Sequence, residues 1–202
     1  IMQSGGGMKP PVNEWGRCLQ SGEKLGIKFF EYMGWKNLDE ARKADAQTIL
    51  EGFGQYIKIP LLQDEPDGVG GFMRFAPVID GTFLEESPMD MCRKGAYPEL
   101  DYILGSTSGE WRALTCLNLA WGENAIRWKR KPAYIYYFDR VPPGAAKAHH
   151  SSEHHYIFQT LMRSNRGYTG DDFDLSNELA DRWAAFIKTG NPNMDGMVNW
   201  TP

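Results

Sequence analysis

The clearest strand reads Ala133-Tyr134-Ile135-Tyr136-Tyr137-Phe138, a run in which every residue is apolar or aromatic. Such an unbroken run is typical of a strand covered on both faces, as in a parallel sheet. Upstream, Leu100 to Leu104 is a second candidate strand, and the loop Gly105-Ser106-Thr107-Ser108-Gly109 follows it. The short apolar segment Ile1-Met2-Gln3 is typical of the end of a third strand.

Helical spacing of apolar residues recurs between these strands. The predicted helices cover 15–33, 38–50 with Asn37 as N-cap, 111–128, and a last helix with Ser176 as N-cap and Gly190 as C-terminal cap. In the last helix Leu179, Trp183, Phe186 and Ile187 form one apolar stripe. Alternating strands and helices predict an α/β fold with a largely parallel sheet.

Composition restricts the class of protein. The chain has 202 residues, 42% of them hydrophobic, and a net charge of −4, which fits one domain or a large piece of one. The basic run from Arg127 to Lys131 leads directly into the apolar strand and is typical of a solvated turn, so no nucleic-acid partner is expected. No apolar run is long enough for a membrane span. The three cysteines have no metal-ligand spacing.

Two groups of titratable residues follow the predicted strands. Glu110 comes directly after the Gly105–Gly109 loop, and the segment from His149 to His155 holds all four histidines. Because ligands of open α/β sheets bind beyond the carboxyl ends of the strands, both groups are expected at that edge. A nucleophilic hydrolase needs a histidine base and an acid that orients it, and in α/β-hydrolases the acid precedes the histidine. Glu110 followed by His150 fits that order.

Several motifs in order resemble those of the type-B carboxylesterases, the cholinesterase-like family. They are Gln3-Ser4-Gly5, Phe75 to Gly81 with its Pro-Val-Ile-Asp-Gly string, Gly105 to Glu110, Tyr134 to Asp139 followed by Ala148 to Glu153, and Trp183 to Asn193. The resemblance implies the C-terminal part of an α/β-hydrolase fold that lacks the N-terminal strands and the nucleophile elbow. Residues 1–202 would then be one partial domain, truncated at both ends, and no cofactor is implied.

The resemblance also implies roles for individual residues. Glu110 matches the triad acid, and His150 matches the triad base because it lies three residues before Glu153. Ser4 is expected beside Glu110 as a supporting serine, and Glu153 as a supporting acid. The chain has no Gly-x-Ser-x-Gly elbow, so the nucleophile and the oxyanion hole are expected before Ile1. Gly109 occupies the place where relatives have Asp.

Three functions remain open at this point. The first is a serine esterase acting on a small-molecule carboxylic ester, in which these 202 residues alone would be inactive. The second is a catalytically inactive, neuroligin-like binding or adhesion module of the same family. The third is a zinc hydrolase, because His150-Ser151-Ser152-Glu153-His154 fits the H-x-x-E-H string. If Ile1 begins a mid-sheet strand, an N-terminal segment or a second copy of the chain is expected to cover the exposed edge.

Overall fold

A computed structural model describes residues 1–5, 19–59 and 77–202 of the chain. The chain divides into two compact units, one formed by Ile1–Lys9 with Pro88–Pro202 and the other by Pro10–Ser87. The expectation of a single partial domain over residues 1–202 stays a prediction. In the part of the chain that is described, no helix is both long and apolar enough to cross a membrane.

The first unit contains a parallel sheet. Its strands are β1 (Met2–Gln3), β2 (Ile103–Thr107) and β3 (Tyr134–Phe138), in the order β1-β2-β3. Met2 pairs with Leu104, and Ile103 pairs with Tyr134, so both neighbouring pairs run in the same direction. All three predicted strands are present, and their carboxyl ends meet at one edge of the sheet.

Strand β2 lies three residues later than the predicted 100–104. Leu100 is exposed, whereas every residue from Ile103 to Thr107 is buried. Gly105 was expected in a loop but continues the strand and pairs with Tyr136, whose ring lies where a Cβ at position 105 would be. Here glycine provides space for the aromatic ring of the neighbouring strand.

Helices cover both faces of this sheet. The elements of the first unit are α4 (Pro88–Lys94), α5 (Arg112–Arg127), α6 (His154–Ile157), a 3-10 turn (Leu161–Arg163) and α7 (Gly170–Thr189). Leu104 packs with Met89 of α4 and Trp121 of α5. Its neighbour Ile103 packs with Trp183 of α7. Because consecutive strand residues point to opposite faces, α4 and α5 lie on one side and α7 on the other.

The last helix begins earlier than predicted. Thr169 is its N-cap, in a capping box with Asp172, and Ser176 instead lies buried inside the helix, where its hydroxyl donates to the carbonyl of Tyr156 at 2.7 Å. Ile187 is 72% exposed and therefore lies outside the buried stripe. The predicted C-terminal cap is confirmed, since Gly190 has a left-handed backbone with φ of 77°.

The second unit has helices among residues 19–59, whereas its residues 77–87 are not helical. It contains α1 (Leu19–Met33), α2 (Leu38–Lys43) and α3 (Ala46–Tyr56). The predicted single helix over 38–50 is wrong, because Asp45 accepts from the backbone N–H of Thr48 and starts α3. Asn37 caps α2 as predicted. Residues 15–18 of the first predicted helix, and Phe75 and Ala76, lie outside the described residues.

Candidate active site

Glu110 lies just beyond the carboxyl end of β2, and its carboxylate is nearly buried. The side chain is 4% exposed. Its Oε2 accepts hydrogen bonds from the Thr107 backbone N–H and the Ser4 hydroxyl, each at 2.7 Å. Oε1 faces the Nδ1 of His150 in a short contact. Both carboxylate oxygens are therefore hydrogen-bonded.

His150 lies in the loop after β3, and Glu110 is the side chain that engages its ring. The His150 side chain is 71% exposed, so one nitrogen meets the buried acid while most of the ring faces outward. Because an ionised carboxylate accepts a hydrogen bond at Nδ1, that nitrogen carries the proton and Nε2 keeps the free electron pair. Glu110 can orient the neutral imidazole of His150 and stabilise that ring when it takes up a proton.

The surroundings of Glu110 favour its ionised form. Burial is the largest single influence and raises the pKa of Glu110. The Thr107 N–H, the His150 imidazole and the Ser4 hydroxyl act in the opposite direction, and together they hold the pKa of Glu110 below its ordinary value. The buried acid therefore stays charged at neutral pH, as an orienting acid must.

Ser4 connects the end of β1 to this acid. Its backbone is in the left-handed region with φ of 57°, which is uncommon for a residue other than glycine. The Ser4 N–H donates to the Gly105 carbonyl at 2.7 Å while its hydroxyl donates to Glu110. The structure thus brings Ser4, Glu110 and His150 together.

Glu153 lies in a separate polar cluster. It is 1% exposed, and its Oε1 accepts from the Tyr136 hydroxyl at 3.2 Å and from Gln3 Nε2 at 3.4 Å. Its Oε2 has no hydrogen-bond partner among the described residues. Sequence reasoning expected Glu153 as a supporting acid but missed Gln3 and Tyr136. Alternation along β3 does not single out Tyr136, because every residue of that strand is apolar or aromatic.

The four histidines have different partners, and this does not favour a zinc site. His150 lies in a turn against Glu110, whereas α6 begins only at His154. The H-x-x-E-H string requires both histidines on one helix, which this geometry does not provide. His155 Nδ1 is 3.0 Å from the Thr160 hydroxyl. Within residues 1–5, 19–59 and 77–202, no group of at least three histidine, cysteine or acidic side chains is arranged to hold a metal ion.

No serine of the described residues is hydrogen-bonded to His150. The hydroxyl of Ser152, two residues away, donates to the His149 carbonyl at 2.6 Å. Ser106 at the end of β2 pairs with the Thr115 hydroxyl at 2.9 Å. Among the described residues a carboxylate and an imidazole therefore lie together, with no serine hydroxyl hydrogen-bonded to the imidazole.

Comparison with known proteins shows what this chain is similar to. Residues 117–202 match the Carboxylesterase family. The solved structure of a thermophilic pNB esterase covers 92% of the chain with a TM-score of 0.68 at 20% identity, and a further pNB esterase structure gives 0.70 at 19%. The α/β-hydrolase fold is thereby confirmed. Residues 117–202 are thus similar to the Carboxylesterase family, and the chain shares the fold of these solved esterases.

The sequence relatives carry esterase names. Human cocaine esterase is 32% identical over 79 residues, and dog carboxylesterase 5A is 32% identical over 81 residues. These matches cover 35% and 34% of the chain. The matched stretch spans 14% of each of these relatives, and the chain covers 48% of the thermophilic pNB esterase.

Proposed function

We propose that this chain provides the acid and the histidine of a serine carboxylesterase whose nucleophile lies outside these 202 residues. The observation that supports this most directly is the contact between His150 Nδ1 and the buried carboxylate of Glu110. An acid at Nδ1 and a free Nε2 are what a histidine base needs in acyl transfer. Ester hydrolysis is also consistent with the names of the carboxylesterase relatives.

The reaction proceeds through an acyl-enzyme. Nε2 of His150 takes the proton of a serine hydroxyl as the serine oxygen attacks the ester carbonyl carbon. The ester C–O bond then breaks, and the alcohol leaves with the proton from His150. Water releases the acid in a second, equivalent cycle. Glu110 keeps the imidazole oriented and balances its transient positive charge, while backbone donors outside this chain stabilise the oxyanion by about 3–4 kcal/mol.

An inactive, neuroligin-like binding module is the second candidate. Such a role places no demand on a charged acid beside an imidazole. This chain has both residues and supports Glu110 with Ser4 and the Thr107 N–H, which favours the enzyme.

Substitutions in the longer protein that carries the nucleophile test the proposal. His150→Ala and Glu110→Gln are each expected to lower kcat on a p-nitrophenyl ester by about 10⁴-fold. His149→Ala is the matched control, because His149 is an exposed neighbour whose ring contacts only the His150 backbone among the described hydrogen bonds. Near-normal turnover by folded His150→Ala protein contradicts the assignment.

Covalent labelling locates the nucleophile. A fluorophosphonate probe reacts with an activated serine, so it is expected to label the longer protein and to leave the 202-residue chain unlabelled. Labelling of a serine within the 202 residues contradicts the proposed division of the site. A longer protein that folds but takes no label supports the inactive binding module instead.

A further inference from the structure

Hydrogen bonds join the acid loop to the histidine loop directly before the two functional side chains. The Ser108 N–H donates to the Phe138 carbonyl at 2.8 Å, and the Gly109 N–H donates to the Ala148 carbonyl at 2.8 Å. The Lys147 ammonium donates to the Gly109 carbonyl at 2.6 Å. We call Gly109, Lys147 and Ala148 the clasp. Both polar backbone groups of Gly109 are thus engaged by the histidine loop.

Position 109 has no room for a side chain. A Cβ there would collide with the backbone carbonyl oxygen of Ala148 and would lie 2.9 Å from the Ala148 carbonyl carbon. Ala148 is fully buried and packs with Phe138, Tyr156 and Leu161, so its carbonyl cannot move aside without disturbing that cluster. In this chain an added Cβ at position 109 would therefore push the two loops apart.

Apart from the contact with Glu110, little fixes the position of the His150 imidazole. The His150 side chain is mostly exposed, and the hydrogen bond described for its ring is the one to Glu110. The following residue, Ser151, has a left-handed backbone with φ of 66°, which makes the loop turn immediately after the histidine. The backbone just before His150 therefore determines where its ring lies relative to the acid.

We propose that the clasp is a positioning device that sets the contact between Glu110 and His150. Gly109 permits the close approach of the two loops, and Lys147 donates to the carbonyl of the next peptide group, between Gly109 and Glu110. The clasp acts through Glu110 and His150 and does not itself touch the reacting atoms. In this role it serves the proposed function, on which the inference rests.

Nuclear magnetic resonance of the ¹⁵N-histidine-labelled chain tests the clasp without any activity. The observable is exchange of the His150 Nδ1 proton with water, with its resonance assigned by His150→Gln. Gly109→Ala is expected to accelerate that exchange at least about tenfold, because the hydrogen bond to Glu110 opens more often. Gly167→Ala is the matched control, since apart from its two chain neighbours no heavy atom of the described residues lies within 4 Å of the added Cβ, and φ lies outside the left-handed region.

A second pair of variants applies if Gly109→Ala does not fold. Lys147→Met keeps most of the length of the side chain but removes the donor. It is expected to accelerate exchange by only about two- to threefold, because the Lys147 contact is exposed to solvent. Lys147→Arg restores a donor and is expected to restore slow exchange. Unchanged exchange in Lys147→Met, or an equal effect of Lys147→Arg, overturns the role of Lys147.

Kinetics of the longer protein separate the clasp from the proposed function. Gly109→Ala is expected to lower kcat by about 10- to 100-fold with KM nearly unchanged, because the base is displaced rather than the substrate pocket. If the Nδ1 proton exchanges as slowly in Gly109→Ala as in the unaltered chain, or if Gly167→Ala has the same effect, the clasp is wrong. If exchange of the His150 Nδ1 proton accelerates in Gly109→Ala but kcat is retained, the positioning role of the clasp is supported and the catalytic role of Glu110 and His150 is contradicted.

Discussion

At the scale of single residues, the charge on the nearly buried Glu110 carboxylate has to be stabilised by groups of the protein rather than by water. A nearly buried carboxylate would be costly without donors, yet this one accepts from Thr107, Ser4 and His150. The Thr107 N–H and the Ser4 hydroxyl are available whether or not the imidazole is protonated. Two of the groups that lower the pKa of Glu110 therefore do not depend on the protonation state of His150.

Removing the Ser4 hydroxyl should weaken this arrangement. Ser4→Ala is expected to raise the pKa of Glu110, since the hydroxyl is one of the groups that lower it, and to cost about 1–2 kcal/mol at pH 7. Carboxyl ¹³C resonances measure the pKa, and urea unfolding measures the stability. Ser4→Gly removes the same hydroxyl but relieves the left-handed backbone, so it should be the more stable of the two variants. An unchanged pKa of Glu110 in both variants contradicts the role of Ser4.

The sequence predicted part of this site because that part lies in short motifs. Ser4, Glu110 and His150 each occupy a recognisable string, and the structure brings all three together. Gln3 and Tyr136 were missed because their contact with Glu153 depends on the register of β1 and β3 against β2. Register is a property of the folded sheet, and the residue type at position 136 does not predict it.

At the scale of elements, the start of α7 is fixed by a buried charge. Asp172 is fully buried and accepts from Arg140 at 2.7 Å, from the Tyr156 hydroxyl at 2.9 Å and from the Thr169 N–H at 2.9 Å. One carboxylate therefore caps the helix and joins it to the residues after β3 and to α6. The hydrogen bond from Arg140 is the main reason that the pKa of Asp172 lies well below its usual range.

Asp172→Asn tests this connection. The variant leaves Arg140 without a charged partner and is expected to lose about 2–4 kcal/mol at pH 7, with part of the loss offset because Arg140 is 40% exposed. Asp171→Asn is the matched control on the same turn. It is exposed and should cost no more than about 1 kcal/mol through the helix dipole. Equal losses in the two variants contradict a special role for Asp172.

The pH dependence of the same variant has a definite sign. Because the folded pKa of Asp172 is lowered, its stabilising effect is complete above the unfolded pKa of about 3.9 and is lost as pH falls toward the folded value. The difference in unfolding free energy between the unaltered chain and Asp172→Asn should therefore shrink below about pH 4. Urea unfolding at pH 7 and pH 3 measures it. A constant difference between the two pH values contradicts the charged state of Asp172.

The sequence predicted the types of the helices and strands better than it predicted their boundaries. Every predicted strand is present, but β2 begins three residues later than predicted and includes Gly105, which pairs with Tyr136. The predicted 38–50 helix is two helices, because Asp45 caps the second one. Its side chain does so by accepting a hydrogen bond from the backbone N–H of Thr48. Helix α4 was missed altogether, since its seven residues are too short for a clear apolar period.

At the scale of the whole chain, the edges of the sheet matter as well as its faces. Helices cover the faces of the sheet in the first unit. β1 is two residues long and pairs with β2 on one side. Among the described residues no strand pairs with its other side. An edge strand with free N–H and C=O groups favours pairing with another segment, and in the proposed enzyme the nucleophile-bearing part of the longer protein is the expected neighbour.

The 202-residue chain by itself is accordingly expected to self-associate through this edge. Sedimentation velocity should show an average mass that rises with protein concentration. Ile1→Lys places a charge at the edge, where Ile1 is 45% exposed, and should shift the distribution toward monomer. Ile187→Lys removes a more exposed apolar side chain from α7, and should leave the distribution unchanged if edge pairing rather than general hydrophobic contact drives association. A monomer at every concentration, or equal effects of the two variants, shows that β1 is not the associating edge.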